Sequence, residues 1–551
     1  MSKKVIYIFI LVINLLLTGV LPSEAYDSEK IIRVGISDSA FSKYIFDKAS
    51  FYSDETIEVV DIATGNSVKS SGKPISAEME NDLFNIYIDS KPAEQMQNLT
   101  GPVMISTKPQ HLIGISGLKR AGKPAYYRGS IELVKHSQKS GFTIVNVLDL
   151  KNYLRGVVPN EMPVSFGLEA LKAQCTAARN YALKPRDSIY KEFDICDSVA
   201  CQVYFGAKTE KPLSDRAVEE TDGLVALYEG DLILAVYSST AGGYTESHAF
   251  AFSSPDTKNF PGKDIPYLQA KPDIPGMEPL NDEVSAREFY TTKPETFDNN
   301  SSYFRWVREW TLSEFTEMLN QTMLEQAAFI KPVFTEEDEF QNLKEIKILK
   351  RGNSGKVIFL EIVTENGSYI VGKELVLRRL FKNKGKALPS ANFVTDMEIS
   401  ENSEPIIKFY GGGYGHGVGM SQFGAGKMGM SGLSFVNILQ HYYTNISIGT
   451  VPVTLETAAE KNHCSTVFFA PSNYAKIYID ENKGVSDFTV IVNGLEVNIE
   501  TGKLFRKKTE FDISEYIHSG VNTVEIILPE EHFGQNKYIK YHLEIAGVNN
   551  D

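Results

Sequence analysis

The chain has 551 residues, of which 42% are hydrophobic and 23% charged, with a formal net charge of −14. Such a length exceeds what one core can organise and suggests about three or four domains. The composition is that of a globular chain and excludes a disordered one. The acidic balance argues against a nucleic-acid binder, which needs a basic footprint.

The first residues carry a targeting pattern. Lys3 and Lys4 precede an apolar run from Val5 to Leu21, and "PSEA" then offers Ser23 and Ala25 as a small-x-small cleavage site. Residues 1–25 are therefore expected to be a secretory signal peptide cut after Ala25. The alternative is an uncleaved membrane anchor, and in that case alone would a membrane be a partner. No later segment is apolar enough to span a bilayer.

Residues 26–120 alternate short strand-like runs ("IIRVGIS", "TIEVVDI", "LFNIYIDS") with Gly, Ser and Asp turns, the pattern of a β-rich region. From 121 the strands continue to "FTIVNVLDL". Then "VVPNEMP" (157–163) sets one carboxylate, Glu161, between Pro159 and Pro163, which fix φ and donate no hydrogen bond. The reading is a stiffened bend between a strand and a helix. Its bland meaning is a surface turn with a solvated Glu; its sharp meaning is a general acid/base held in one direction. The helix follows as "GLEALKAQCTAARNYAL". Leu171, Cys175, Ala178 and Ala182 form its apolar stripe, while Lys172, Thr176 and Arg179 form a polar stripe, either a solvated face or the wall of a cleft.

Of the four cysteines, Cys175 lies on the apolar stripe as a small buried hydrophobe. Cys196 and Cys201 lie close together in "DICDSVACQVYFG", where a local disulfide and part of a metal site are both open. The pair Gly242–Gly243 in "TAGGYTES" permits positive φ and close backbone approach. A helix is expected within 305–327, started by Thr311 or Ser313, and another after Ser434 in "SFVNILQHYY". Between them runs "YGGGYGHGVGMSQFGAGKMGMSG" (410–432). After 450, short strands such as "STVFFAP", "AKIYID" and "FTVIVNG" recur at the spacing of a sandwich.

Two blocks together resemble the stage II sporulation protein D (SpoIID) / LytB family: "NYLRGVVPNEMPVSFGLEALKAQCTAARNYAL" (152–183) and "GGGYGHGVGMSQFGAGKMGMSGLSFVNILQHYY" (411–443). Between them "CQVYFG", "YSSTAGGYTES", "PYLQ" and "RRLF…LPSANF" stand in family order. The resemblance covers residues 120–445. It implies an α+β fold, with a β-rich SpoIID-like catalytic region and a few helices lining a glycan groove. A C-terminal all-β sandwich would be accessory. The expected division is signal peptide 1–25, N-terminal β-rich region 26–120, catalytic region 121–450 and accessory domain 451–551.

The resemblance further implies an exported, cell-wall-associated enzyme that cleaves glycan strands of peptidoglycan after an amidase has removed their stem peptides. Its acid/base falls on Glu161. Lys172 and Arg179 would steer carboxylate or lactyl groups. Gly242 and Gly243 would let a sugar chain approach the backbone, and Ser421 and Gln422 would bond sugar hydroxyls or N-acetyl groups. His416, flanked by glycines, would either contact substrate or bond its loop to itself. Some family members hold zinc with one His and two Cys near the block matching "DICDSVACQ". Here Tyr190 stands six residues before Cys196, and no His occurs between His136 and His248. A Cys196–Cys201 disulfide or two free thiols is preferred to a metal, and no cofactor is expected.

Ordinary glycoside hydrolysis uses two carboxylates, and Glu169, Asp194, Asp197 and Glu246 are candidates for the second. A lytic reaction relaxes that demand, because the sugar's own C6 hydroxyl attacks C1 and a single acid/base suffices. The competing class is a non-catalytic wall protein that recruits or stimulates an amidase.

Overall fold

The computed structural model describes residues 30–184, 190–254, 259–340, 342–365, 367–399, 405–456, 463–497, 509–529 and 536–548. The expected signal peptide lies outside them. The fold is mixed α+β and rich in strands. Eight α-helices occur among the described residues: α1 Leu150–Glu161, α2 Leu168–Leu183, α3 Pro212–Glu219, α4 Glu283–Thr291, α5 Leu312–Glu325, α6 Glu374–Leu380, α7 Gln422–Met430 and α8 Phe435–Tyr442. None is long and apolar enough to cross a membrane.

The chain divides into two compact units. The first takes residues up to 161, then 185–232 and 447–547; the second takes 162–184 and 233–446.

In the first unit a seven-stranded sheet runs in the order Ile195–Cys196, Ile31–Ile36, Phe142–Asp149, Ser130–Lys135, Val103–Ser106, Ile57–Asp61, Ser67–Ser70. Phe142–Asp149 is buried along most of its length, as expected of a strand covered on both faces. It leads directly into α1. The Asp149 carboxylate accepts the Asn152 N–H (2.8 Å) and so caps the start of that helix. A six-stranded sheet around Ile113–Arg120 and Lys48–Tyr52 completes the N-terminal part.

Some of the C-terminal strands join a sheet begun earlier in the chain. Leu224–Tyr228 pairs with Ser447–Thr450, which pairs with Tyr538–Ala546, itself paired with Lys476–Lys483. Hydrogen-bonded strands thus cross the boundary expected at residue 450. A separate four-stranded sheet of His463–Ala470, Gly520–Ile527, Thr489–Val492 and Leu495–Val497 supplies the other C-terminal β-layer.

In the second unit the short parallel pair Tyr237–Ser238 and Met420–Ser421 ties together the two ends of a long intervening segment. That segment has its own core. Trp310, Phe315, Phe381, Phe393 and Phe409 pack between α5, α6 and the strands Trp306–Thr311, Phe393–Ile399 and Pro405–Gly411. Thr311 caps α5 and Ser434 caps α8, each in a reciprocal capping box.

Candidate active site

The stretch expected to be a bend is the last turn of a helix. In α1, Leu150, Tyr153, Leu154, Val157 and Val158 face inward at helical spacing, and that stripe outweighs the poor helix propensity of Gly156, the two valines and Pro159. Pro159 lies inside the helix. The bend comes after Glu161, which is the C-terminal residue of α1 and is half-buried.

The segment Gln202–Gly206 holds this turn. The Val203 N–H donates to Glu161 Oε1 at 2.6 Å. The Phe205 N–H and the Asn160 side-chain amide both donate to the Gly156 carbonyl, at 3.2 and 2.7 Å. Asn160 also reaches Thr209 Oγ1 (2.8 Å). The Tyr153 hydroxyl donates to Gln202 Oε1 (3.0 Å), and the Tyr204 hydroxyl to Asn146 Oδ1 (2.7 Å) on the buried strand. Tyr204 is 1% exposed, between the rings of Tyr127 and Tyr153. Gly156 leaves room for it, since a Cβ there would collide with the Tyr204 ring. In the sequence "CQVYFG" stands only in family order; in the structure its backbone orients Glu161. No side-chain signal marks a backbone N–H, so only the structure reveals Val203.

The loop before this segment is pinned twice. Cys196 and Cys201 form a disulfide with Cα atoms 5.6 Å apart. Asp197 between them is fully buried, accepts the Ser37 N–H and hydroxyl (3.1 and 2.7 Å) and pairs with buried Arg120. Burial pushes the Asp197 carboxyl above its ordinary range, against the opposing pull of Arg120. Asp194 accepts the Arg33 N–H (3.1 Å). Tyr190, at the position where the family resemblance would lead one to look for a zinc ligand, stacks on Phe193 with ring centroids 4.3 Å apart. With the two sulfurs joined and an aromatic ring in place of a donor, these residues do not fit zinc. Among the described residues no group of three or more His, Cys, Asp or Glu is placed to hold a metal ion.

The remaining predicted residues all belong to the second unit, and most have structural partners there. Helix α2 is buried almost all round rather than on one stripe. Arg179 is fully buried with its guanidinium 3.7 Å from Cys175 Sγ, so its face is not a solvated one. Lys172 pairs with Glu169 (2.9 Å), whose other oxygen accepts the Phe435 N–H (2.8 Å) at the start of α8. Gly242 and Gly243 are buried at φ 79° and 96°. A Cβ on Gly242 would meet the backbone of Gly412 and Gly413, and one on Gly243 would meet Thr296, Phe289 and Phe304. Packing of the chain on itself already accounts for both glycines. Ser421 caps α7 by accepting the Gly424 N–H (3.3 Å), and donates to buried Asp298 (3.1 Å). Gln422 donates to Gln174 Oε1 on α2 (3.2 Å).

The glycine-rich run has a helical explanation as well. Added Cβ atoms at Gly424, Gly426 and Gly429 would meet Tyr442, Phe166 and Ala170. These glycines let α7 lie close against α2 and α8.

His416 bonds within its own loop, its Nδ1 accepting the Val418 N–H (3.1 Å). The residue keeps some exposed surface, but its ring is densely surrounded. Burial first, then the positive charges of Lys356 and Arg378, push its pKa down to about 3. Glu246, within "GGYTES", is fully buried and accepts the Ser247 N–H (2.8 Å) and the Ser354 N–H and hydroxyl (3.1 and 2.7 Å). Burial holds its carboxyl above the usual range.

A family model described as "SpoIID: Stage II sporulation protein" matches residues 138–228, and a "Domain of unknown function (DUF8618)" matches 255–419. The "Amidase enhancer" of Bacillus subtilis (strain 168) is 28% identical over 403 residues, which are 69% of this chain and 53% of that protein. The chain therefore spans about half the length of that relative. The "Stage II sporulation protein D" of Bacillus amyloliquefaciens is 28% identical over 324 residues, 55% of this chain and 75% of the relative. Its namesake in Bacillus subtilis (strain 168) is 26% identical over 321 residues, with the same coverage. The matched stretch 138–228 contains the strand, the helix that ends in Glu161 and the segment that holds it, and it is this stretch of the chain that matches the SpoIID domain family.

Proposed function

We propose that the protein is an exported, cell-wall-associated lytic transglycosylase that cleaves the MurNAc–GlcNAc bond of peptide-free glycan strands, with Glu161 as its acid/base. One observation carries the reading: the carboxylate of Glu161, half-buried at a helix end, is directed by the Val203 N–H at 2.6 Å. The N–H on Oε1 gives that oxygen an acceptor role, and in the proposed reaction Oε2 carries the acidic proton.

In the proposed reaction Glu161 gives this proton to the leaving glycosidic oxygen as the C1–O bond breaks. The C6 hydroxyl of the same muramic acid attacks C1, and the Glu161 carboxylate takes the O6 proton. The enzyme is restored, no water is consumed, and the product ends in a 1,6-anhydro ring. The other carboxylates weighed for a second role have structural partners instead: Glu169 with Lys172, Asp194 with Arg33, Asp197 with Arg120, and Glu246 with Ser354. This favours the single-acid reaction over a two-carboxylate hydrolysis. Lys172, which keeps some exposed surface, remains a proposed contact for the acidic groups of the glycan; Arg179 is fully buried and is not proposed as one.

The test is cleavage of purified peptide-free strands in ¹⁸O water, with products weighed. Unlabelled anhydro ends, lost in Glu161→Gln, are expected. Label at the new sugar terminus would replace the lyase with a hydrolase. The relative named "Amidase enhancer" supports a second reading, a wall-binding protein that stimulates an amidase. That reading is preferred if the intact chain cleaves nothing and Glu161→Gln still stimulates an amidase fully.

A further inference from the structure

The second unit contains a cavity of about 740 Å³, within the size range of small-molecule sites. Its lining includes Arg308, Arg378, Lys384 and Lys386, the rings of Tyr303 and Tyr414, and no carboxylate. Such a concentration of positive charge is unexpected in a chain of net charge −14. Arg378 is neutralised by buried Glu374 (3.2 Å). Among the described residues none of Arg308, Lys384 and Lys386 forms an ion pair. Lys384 also borders a second groove, which is lined by Glu309, Glu314 and Glu317. Arg308 and Lys386 do not border that groove.

The site is built on fixed elements. Asn383 and Lys386 exchange backbone hydrogen bonds (2.8 and 3.0 Å) around Lys384 and Gly385, both at positive φ, in a tight two-residue turn. The Asn383 side chain anchors this turn to the Glu309 carbonyl (3.0 Å). Opposite it, the Gly413 N–H bonds the Tyr303 carbonyl (2.9 Å) and the Gly415 N–H bonds the Pro389 carbonyl (3.0 Å), which fixes the loop carrying Tyr414. The two tyrosine rings lie 4.5 Å apart and are 37% and 41% exposed. Solvent-facing aromatic rings beside unpaired cations offer an apolar sugar face and an acidic substituent their respective partners.

We propose that this cavity binds an anionic saccharide, the sugar ring against Tyr303 and Tyr414 and its acidic group on Arg308 and Lys386. The acidic group is either the carboxylate of a muramic-type sugar or the phosphodiester of a glycosylated polyol-phosphate polymer, because the same cations serve both. The site lies wholly in the second unit and does not depend on the chemistry assigned to Glu161.

The test measures binding by calorimetry, using the full chain carrying Glu161→Gln so that no probe is cleaved. The probes are peptide-free muramic-acid glycan, a glycosylated glycerol-phosphate oligomer and a neutral chitooligosaccharide of equal length. Arg308→Gln and Lys386→Gln should each weaken one anionic probe roughly tenfold and leave the neutral probe unchanged. Both positions are solvent-accessible, and an unaltered melting temperature will verify folding. A charge-dependent muramic probe assigns the carboxylate; a charge-dependent glycerol-phosphate probe assigns the phosphodiester. Equal affinity for neutral and anionic probes, or anionic affinities indifferent to both substitutions, would overturn the proposal. Loss of cleavage in the parent chain with charge-dependent binding intact would count against the Glu161 reading alone.

Discussion

Glu161 combines a short backbone hydrogen bond with a position at a helix end, and that pairing sets what its replacement should do. Glutamine keeps the size and accepts the Val203 N–H, but it has no proton to give. Glu161→Gln should lower turnover by roughly 10²–10⁴-fold while leaving glycan binding and melting temperature nearly unchanged; product chromatography and calorimetry check both halves. His416 offers a pH test. Its folded pKa of about 3 lies below the ordinary 6.5, so below about pH 6.5 the unfolded chain takes up a proton that the folded one refuses. The stability this ring contributes is therefore present above pH 6.5 and is lost progressively as pH falls toward 3. Between pH 7.5 and 5 the loss should be about 1–2 kcal/mol. Urea unfolding at the two pH values should show it, and His416→Gln should flatten the dependence. An imidazole titrating near 6.5 by NMR would contradict this environment.

At the scale of elements, α1 and the segment Gln202–Gly206 act as one part. Gly156→Ala gains about 1 kcal/mol of helix propensity but drives a methyl into Tyr204, which is locked between two rings and bonded to Asn146. A net loss of about 1–3 kcal/mol is expected, with turnover falling as Val203 shifts; chemical denaturation and rate measurements report the two effects. The disulfide closes only a short loop. On loop-closure entropy Cys201→Ser should cost about 2 kcal/mol, read as a lower melting temperature that reducing agent does not lower further. The sequence made α2 and the capped starts of α5 and α8 legible, because apolar spacing and Thr or Ser caps are local signals. It hid α1 and α7. Gly156 and Pro159 in one, and Gly424, Gly426 and Gly429 in the other, are penalised locally and tolerated only because neighbours fill the space they leave.

For the whole molecule, strand pairing bears on the C-terminal hundred residues. Ser447–Thr450 sits between Leu224–Tyr228 and Tyr538–Ala546 in one sheet. Truncation after residue 450 would leave Ser447–Thr450 as a new, unpaired edge and strip the strands that follow it. The expected outcome is a chain that aggregates or melts well below the full-length protein; a truncated chain with an unchanged melting temperature would show that the C-terminal strands are a separable accessory domain. The two family matches fit the same picture of interleaving, since residues 138–228 fall on both sides of the division at Glu161 while 255–419 lie within the second unit.

The sequence by itself determined the strand-rich α+β character, the family motifs, the singular setting of Glu161 and the closeness of Cys196 to Cys201. Each is written in local spacing or in residue types whose chemistry travels with them. Only the tertiary structure decided that Glu161 ends a helix, that a backbone N–H forty-two residues later directs it, and that Gly242, Gly243 and Ser421 serve the packing of the chain on itself. It alone gathered Arg308, Lys384 and Lys386 around Tyr303 and Tyr414. The physical reason is common to all of these: backbone donors look alike in every sequence, a glycine records missing volume without naming the neighbour that needs it, and charges far apart along the chain become one site only when strands and turns bring them to the same cavity.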